Sequence, residues 1–308
     1  MTEKPVTNPL NSAEEVFLEK EIETKQIIDG YLVRYDLDVS KYFQGKERIQ
    51  LFRCSNSGYR FFLPFEIGGD SRFYEALARD PYYYMDDKWE HQAAGKWLHR
   101  GDKVLEVGCG RGSFLRQLGE KGIDAVGLEL NEEAVKHCLK NMLNVYRQDL
   151  ADHARENRNR YEAVCVFQVL EHIAKPTEFL LSALAVLQTG GKLIVSVPNN
   201  DGFIKNDLLN LLNLPPHHLG LWGRNSLESL TKFLPLKLKE IQFEPLARYH
   251  VRYYFEVLIG NRLVRSFGYF GKAFRLAIIL PFCLGIFLCS PWIMGHTIIA
   301  IYEKKQEN

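Results

Sequence analysis

The stretch Lys103-Val-Leu-Glu-Val-Gly-Cys-Gly-Arg-Gly-Ser-Phe-Leu115 decides the fold of this 308-residue chain. Its apolar start predicts a buried parallel strand. Three glycines follow at alternate positions, and apolar residues at helical spacing begin directly after them. A strand that turns through glycines into a helix presents backbone N–H groups to a crevice, so the pattern predicts a ligand site at this edge of a sheet.

Two residues of this stretch argue against a dinucleotide-binding domain, which a glycine loop also marks. Ser113 stands where the third glycine of a dinucleotide fingerprint would lie. Glu106 ends the strand, where its charge would repel a pyrophosphate but suits a ligand with an ammonium group. Glu106, with Gly108, Gly110 and Gly112, resembles the first motif of class I S-adenosylmethionine (SAM)-dependent methyltransferases, Glu/Asp-X-Gly-X-Gly-X-Gly. The resemblance implies that the glycines contact SAM through their backbone and that the acid binds its methionine end.

Composition argues against several classes of protein. A hydrophobic fraction of 46% is enough for a full core, so global disorder is not expected. A net charge of +1 argues against a nucleic-acid partner. The six cysteines lack Cys-X-X-Cys spacing, which predicts buried thiols in a reducing compartment. No charged-then-apolar signal segment opens the sequence, which predicts a cytoplasmic protein.

Residues 1–80 are predicted to form a tail and a small β-rich module. The polar residues up to 25 indicate a loose tail or a solvated helix from Ala13 to Lys25, and alternation at 31–35 and 49–53 predicts two short strands. Similar methyltransferases carry a cysteine pair here as a zinc knuckle. Only Cys54 is present in this chain, and one thiolate cannot build a tetrahedral zinc site, so the module is predicted without metal.

An aromatic segment, Tyr82 to Tyr84, precedes a helix pattern with apolar residues at Trp89, Ala93 and Trp97. These tyrosines either pack the helix on the sheet or, as the resemblance implies, form a lid over the methionine end of SAM, with Tyr84 among the cofactor contacts. The pattern leaves both alternatives open.

From residue 103 onward strands and helices alternate, which predicts an α/β fold with a doubly wound, mostly parallel sheet in a domain over 81–308. The resemblance implies seven strands. The second strand ends in Glu129, whose carboxylate can accept two hydrogen bonds from ribose hydroxyls, the role that the resemblance also implies. The alternative, a helix-capping acid, is weaker because Asn131 already occupies the capping position.

Asp149 follows the third strand. The resemblance implies that it binds the adenine amino group, and an exposed loop aspartate is the alternative of comparable weight. Four further residues complete the predicted cofactor contacts: Cys109, Leu130, Leu150 and Gln168.

The second strong motif runs from Tyr161 to Ile173 and carries Leu-Glu-His at the end of a central strand. It resembles many small-molecule methyltransferases, including those of ubiquinone biosynthesis. Some relatives have Glu-X-X-Glu-His and bind a divalent ion, but Gln168 replaces the first glutamate here, and loss of a hard anionic ligand argues against Mg²⁺. Glu171 and His172 either contact substrate or cofactor, or His172 is a structural histidine.

An insertion at 201–222 interrupts the alternation and contains Pro-Pro-His-His. Loops above such a sheet usually form the acceptor pocket, so 200–290 is predicted to be an acceptor-side lid that includes C-terminal helices. His217 or His218 is predicted to act as the general base because imidazole titrates near neutrality, and His172 is the third candidate. The alternative is that the prolines stiffen the loop and the histidines are exposed.

Residues 276–302 carry no Asp, Glu, Lys or Arg, and this length is enough to span a bilayer. Prolines and glycines punctuate the run, and its β-branched end predicts an antiparallel seventh strand. A helix that crossed the membrane here would put that strand on the opposite side from its sheet. Residues 270–290 are therefore predicted to be a broken apolar helix pair that packs on the domain or lies in a membrane surface. Contact through 270–295 would place the protein on the inner face of the membrane.

The sequence thus predicts an enzyme that transfers a methyl group from SAM to a small-molecule acceptor, with a hydroxyl of a hydrophobic, sugar or lipid-linked molecule favoured. Methyl transfer is a direct displacement, so the protein must align the reactants and remove a proton. The near-neutral charge disfavours an RNA-modifying methyltransferase, and the intact motifs disfavour a membrane-associated scaffold without catalysis. A nicotinamide oxidoreductase is the least favoured alternative. The acceptor, the methylated atom and the oligomeric state stay open.

Overall fold

The computed structural model describes residues 6–79, 86, 88–207, 209–260, 279 and 281–306. The strands within these residues are β1 Val16–Glu23, β2 Arg48–Cys54, β3 Arg60–Leu63, β4 Lys103–Val107, β5 Asp124–Leu128, β6 Val145–Tyr146, β7 Tyr161–Phe167, β8 Leu187–Pro198, β9 Gly220–Leu221, β10 Leu236–Pro245 and β11 Met294–Lys304. The α-helices are α1 Thr24–Tyr35, α2 Ser40–Phe43, α3 Ser71–Leu77, α4 Trp89–Gly95, α5 Ser113–Glu120, α6 Glu132–Lys140, α7 Leu150–Glu156, α8 Pro176–Val186, α9 Arg224–Ser229 and α10 Val251–Phe255.

The larger sheet has seven strands in the order β10-β11-β8-β7-β4-β5-β6. Neighbours from β8 to β6 run parallel, whereas β11 is antiparallel to both β8 and β10. The parallel strands are apolar along most of their length because helices cover both faces of such a sheet. The predicted doubly wound, mostly parallel seven-stranded fold is therefore confirmed, including its antiparallel strand near the C-terminus.

Helix termini follow the local chemistry of the sequence. Asn131 caps α6 by accepting the Ala134 N–H at 3.0 Å, as its position predicted. Glu132 and Glu133 occupy the first turn, where negative charge is favourable. Capping by Asn131 leaves the carboxylate of Glu129 available for the site described below.

A smaller antiparallel sheet, in the order β1-β2-β3-β9, confirms a β-rich N-terminal module. Its local structure differs from the prediction, because 16–23 forms a strand and Tyr31 to Tyr35 ends helix α1. Ile27 and Tyr31, one helical turn apart, are fully buried, while Val33 is 88% exposed. The alternation at 31–35 therefore did not indicate which side chains are buried. The buried residues recur at helical spacing, so the segment forms a helix and not a strand.

The two sheets share one hydrophobic core. Tyr59, which directly precedes β3, and Phe61 of β3 pack in the same cluster as Trp222 and the side chains under the large sheet. The Tyr59 and Trp222 ring centroids lie 4.5 Å apart, and Trp222 is completely buried. Strand β9, which pairs with β3, comes from the insertion at 201–222, so the small sheet needs residues far along the chain.

The C-terminal part contains α10, which continues into a π-helical turn, Glu256–Gly260, and a helical segment at 281–289. The remainder of the predicted apolar helix pair falls outside the described residues. Exposed apolar side chains mark the second segment, among them Leu284 at 59% and Leu288 at 63%. In the part of the chain that the structure describes, no helix is long and apolar enough to cross a membrane.

Lys304 anchors the end of β11 inside the fold. It is 6% exposed, and its Nζ donates to Asn159 Oδ1 at 3.1 Å and to the carbonyls of Leu184 and Leu187 at 2.8 Å. These contacts join the last strand to the α8–β8 connection.

Lys304→Met should lower the free energy of unfolding by about 2–3 kcal/mol, because it leaves buried carbonyls without a donor. Lys239→Met is the matched control, since this lysine pairs with Glu303 at 3.0 Å on the surface. Its loss should cost about 0.5 kcal/mol or less. Urea unfolding of both variants measures the difference, and equal losses would contradict an anchoring role for Lys304.

Candidate active site

A cavity of about 1440 Å³ opens at the carboxyl ends of the parallel strands, where open α/β sheets bind ligands. It is lined by the turn after β4, the ends of β5 and β7, helix α4, Asp207 and the loop at 210–218. Among the predicted site residues, the following line it: Glu106, Gly108, Cys109, Gly110, Glu129, Leu130, Asp149, Leu150, Gln168, His172, His217 and His218. Tyr84 falls outside the described residues.

The three glycines of the turn have left-handed backbone conformations, with φ of 73° at Gly108, 53° at Gly110 and 76° at Gly112. A Cβ at Gly108 would lie 2.4 Å from Val169 Cγ2. A Cβ at Gly112 would lie 2.4 Å from Leu143 Cδ1 and 3.0 Å from Cys138 Sγ, so the third glycine permits packing of the turn against α6 and the loop after it. It is not among the lining residues of the cavity. These positions need glycine for backbone conformation and close approach.

Four backbone N–H groups of the turn donate hydrogen bonds within the protein. Gly108 and Cys109 both donate to the Leu128 carbonyl, at 2.8 and 3.1 Å, and Gly112 donates to the Cys109 carbonyl at 2.9 Å. Gly110 donates to Glu129 Oε2 at 2.8 Å. These four donors are satisfied within the protein, and contact of the glycines with SAM through their backbone stays a prediction.

Glu106 is 3% exposed, and its Oε2 atom has no hydrogen-bond partner in the protein. Burial raises the pKa of this carboxyl well above its usual range, because the charged form loses its hydration. A carboxyl that lines a cavity and lacks a donor needs a ligand or water to satisfy it.

Glu129 is fixed by three backbone donors. Its Oε2 accepts from Gly110 N, and its Oε1 accepts from the N–H groups of Leu130 and Asn131 at 2.7 and 2.8 Å. A carboxylate offers about four acceptor positions, so roughly one remains for a ligand hydroxyl. The sequence predicted that the Glu129 carboxylate accepts two hydrogen bonds from ribose hydroxyls.

Asp149 both caps a helix and lines the cavity. Its carboxylate accepts the Asp152 N–H at 2.8 Å at the start of α7. Gln168, with φ of 53°, directs its amide Nε2 to Glu90 Oε1 at 3.4 Å. This contact connects the end of β7 to helix α4.

Three histidines come together from two parts of the chain. The ring centroids of His172, His217 and His218 lie 4.5–4.9 Å apart. His217 and His218 are 7% and 5% exposed, so the alternative of an exposed loop is wrong. The Leu219 N–H donates to the Glu171 carbonyl at 2.8 Å and holds the loop against the strand end.

The electrostatics of this cluster keep it uncharged at neutral pH. Burial lowers the pKa of His172 to about 4 and that of His217 to about 3, and the pKa of His218 lies well below its usual range. Burial also raises the pKa of Glu171, which is 1% exposed, to about 8. Glu171 Oε1 lies 4.0 Å from His218 Nε2, and the pair is neutral because desolvation of both ions outweighs their attraction.

Sequence reasoning missed a second set of buried polar side chains in and around the cavity. Glu90 and His91 of α4 are each 4% exposed. Glu244 is at the carboxyl end of β10, where burial raises its pKa to about 7. His250 and His296 also line the cavity. The position of Glu244 at the end of a predicted strand could have identified it from the sequence. Because β10 runs in the same direction as β8, both strands end at the same edge of the sheet.

The fold and cavity define a class I methyltransferase. Residues 77–234, half of the chain, match the family described as methyltransferase domain, and the chain belongs to that family. SAM is the cofactor of this class. The structure fits it, because the unsatisfied buried carboxyl of Glu106 suits an ammonium group, and the cavity exceeds the usual 300–1,000 Å³ of a single-ligand pocket.

Curated relatives include ubiquinone biosynthesis O-methyltransferases. That of Vibrio parahaemolyticus is 31% identical over 107 residues, 33% of this chain and 46% of the relative. That of Xanthomonas axonopodis pv. citri is 34% identical over 105 residues, 32% of this chain and 44% of the relative. The match thus spans less than half the length of these relatives.

Solved structures show the same fold at low sequence identity. A SAM-dependent methyltransferase from Thermotoga maritima has a TM-score of 0.50 at 15% identity, covering 76% of this chain and 97% of that one. A Haloferax volcanii methyltransferase, solved with the Trm112 methyltransferase activator, has a TM-score of 0.50 at 16% identity, covering 77% and 98%.

Gly108→Ala should destabilise the protein more than Gly190→Ala. Both glycines have positive φ, 73° and 77°, but a Cβ at Gly190 meets no atom within 4 Å. The control should therefore cost only the conformational penalty of about 1–2 kcal/mol, and Gly108→Ala about 1–3 kcal/mol more through overpacking. Urea unfolding measures both. Equal costs would mean that contact with Val169 does not constrain the turn.

Proposed function

We propose that this methyltransferase transfers the methyl group of SAM to a hydroxyl of a small, apolar or lipid-linked acceptor. The main support is that two groups of residues line one cavity. The first is Glu106 and Glu129 with the glycine turn, and the second is the three neutral histidines. The first set suits a cationic nucleoside ligand, and the second suits a hydroxyl that donates a hydrogen bond and loses its proton.

On the cofactor side, Glu106 would bind the ammonium group and Glu129 one ribose hydroxyl. Asp149 would accept from the adenine amino group, and Leu130 and Leu150 would contact the adenine ring. SAM supplies a methyl group already activated on a sulfonium sulfur. The contribution of the protein is then to hold donor and acceptor in line, which removes much of the entropic cost of a bimolecular reaction.

On the acceptor side, a neutral imidazole of the cluster would accept a hydrogen bond from the hydroxyl and then its proton, as a weaker base than free imidazole because burial lowers the pKa of each ring. Nδ1 of His217 lies 2.8 Å from the Leu212 carbonyl oxygen, and Nδ1 of His218 lies 3.1 Å from Asn213 Oδ1. Because Nδ1 donates in each case, Nε2 carries the lone pair of the neutral ring. The same holds for His172, whose Nδ1 lies 2.6 Å from the His217 carbonyl.

The exposed apolar side chains near the C-terminus support an apolar acceptor held at a membrane surface. Phe282, Leu284, Leu288 and Trp292 are 46%, 59%, 63% and 83% exposed. The Arg248 guanidinium lies at the edge of this group, 5.0 Å from the Phe287 ring centroid. Apolar side chains beside a cation favour the interface of an anionic bilayer. This segment would place the protein peripherally on the inner face of the membrane.

The enzyme should methylate an alkyl-chain phenol in phosphatidylglycerol vesicles and a water-soluble phenol with the same ring. Leu288→Glu with Trp292→Glu should lower the rate on the vesicle-held phenol by about tenfold, because charge opposes interfacial insertion, and leave the rate on the soluble phenol unchanged. Leu139→Glu, at a position 55% exposed on α6, is the control. Methylation is measured as transfer of labelled methyl from SAM.

Two outcomes would oppose the proposal separately. No turnover of any phenol, sugar or lipid-linked hydroxyl by a protein that binds S-adenosylhomocysteine would reject hydroxyl methylation. Equal rates on vesicle-held phenol for the double variant and the wild type would reject the membrane contact.

Binding of S-adenosylhomocysteine should release protons, because burial raises the pKa of Glu106 well above its usual range in the free protein and the ligand ammonium favours the ionised form. Affinity should therefore rise with pH up to the pKa of the free protein. Calorimetry in buffers of different ionisation enthalpy measures the proton release.

Glu106→Gln should abolish the release and weaken binding, while Glu133→Gln, at an exposed position on α6, should change neither. Proton release that persists in Glu106→Gln would assign the titrating group elsewhere.

A further inference from the structure

One ring nitrogen from each of His172, His217 and His218 lies within 4.8 Å of the others. Two nitrogens bound to one zinc ion at about 2.0–2.1 Å in tetrahedral geometry are roughly 3.4 Å apart. The limit of 4.8 Å is about 1.4 Å wider than this, so binding of an ion requires the rings to turn toward it.

The surroundings of the cluster orient the rings for this purpose. In each ring Nδ1 lies within 3.1 Å of an oxygen, which makes Nδ1 the donor and Nε2 the atom with the lone pair. Metal-bound histidines characteristically donate their other N–H to a carbonyl or amide oxygen, which sets the tautomer and the ring plane. Two backbone carbonyls and the Asn213 side chain provide that arrangement here.

An independent observation comes from Glu171. Its side chain is 1% exposed, its Oε1 lies 4.0 Å from His218 Nε2, and its Oε2 has no hydrogen-bond partner. A buried carboxyl oxygen without a hydrogen-bond partner is rare and indicates a missing cation or water. Gln168, by contrast, contacts Glu90 at 3.4 Å, so it does not belong to this group.

We propose that His172, His217 and His218, with Glu171 beside them, bind one divalent transition-metal ion on the acceptor side of the cavity. Three imidazoles favour zinc or a similar borderline ion over Mg²⁺, which prefers oxygen ligands. The sequence predicted no metal because Gln168 replaces a carboxylate, but the proximity of His172 to the loop histidines is a tertiary feature. Three histidines also leave a coordination position for a substrate oxygen.

This inference rests on the proposed function and assigns to the ion the activation of the acceptor hydroxyl. The ion would hold the acceptor hydroxyl and lower its pKa. The hydroxyl proton leaves to solvent, the O–CH₃ bond forms as the S–CH₃ bond breaks, and the bonding electron pair stays on sulfur, which becomes a neutral thioether. With the ion bound, the histidines act as ligands in place of the general-base role proposed above, and solvent takes the hydroxyl proton.

The test is titration of untagged, chelator-treated protein with Co²⁺, followed by visible absorption and equilibrium dialysis. We expect one ion per chain with the absorption bands of nitrogen-ligated Co²⁺, and competition by Zn²⁺. His218→Gln and His172→Gln should each weaken binding by at least about tenfold. His137→Gln, an exposed histidine on α6, is the matched control and should bind as the wild type does.

Glu171→Gln should keep binding and shift the absorption bands if the carboxylate ligates the ion. Binding of S-adenosylhomocysteine reports whether each variant is folded, and if one histidine variant does not fold, the other decides. No Co²⁺ binding by the wild type, or binding unchanged in both histidine variants, would overturn the inference. Methyl transfer by metal-free protein would overturn the catalytic role alone, whereas metal binding without methyl transfer would leave the site and reject the proposed function.

Discussion

The hydrogen bonds that Gly108 and Cys109 donate to the Leu128 carbonyl are the constraint on which the site depends. They hold the turn after β4 against the end of β5, and Gly110 extends the contact to Glu129. The turn can approach this closely only because Gly127 opposes it, where a Cβ would lie 2.6 Å from Cys109 Sγ. Glu106 and Glu129 are thereby fixed at adjoining strand ends, before any ligand is present.

Burial determines the charge of the rest of the cavity. Glu171 lies 4.0 Å from His218, close enough for an ion pair, yet this carboxyl and the three histidines stay neutral because each ion would lose its hydration. A cluster of this kind costs little while it is neutral and presents lone pairs to a ligand. The proposed binding of a cation or of a hydroxyl donor depends on this buried, neutral state.

Features encoded within a few residues were predictable. The apolar run before Gly108, the acid at strand end 129 and the cap at Asn131 each depend on neighbours in the chain, and the sheet follows from them. Features that depend on tertiary packing were not predictable. The meeting of His172 with the loop histidines spans 45 residues. The alternation of apolar and polar residues at 31–35 also fits a strand. Only the burial of Tyr31 on the same face as Ile27, one helical turn earlier, distinguishes the helix.

Strand β9 closes the small sheet by pairing Gly220 with Phe61. Some 160 residues separate these partners, so a ribosome that adds roughly 5–20 residues per second would take about 8–30 s between them. During that time the outer edge of β3 emerges without its neighbour and exposes unpaired backbone groups and Phe61. Nascent chains of this protein thus carry an open sheet edge early in synthesis, the kind of surface to which other chains add.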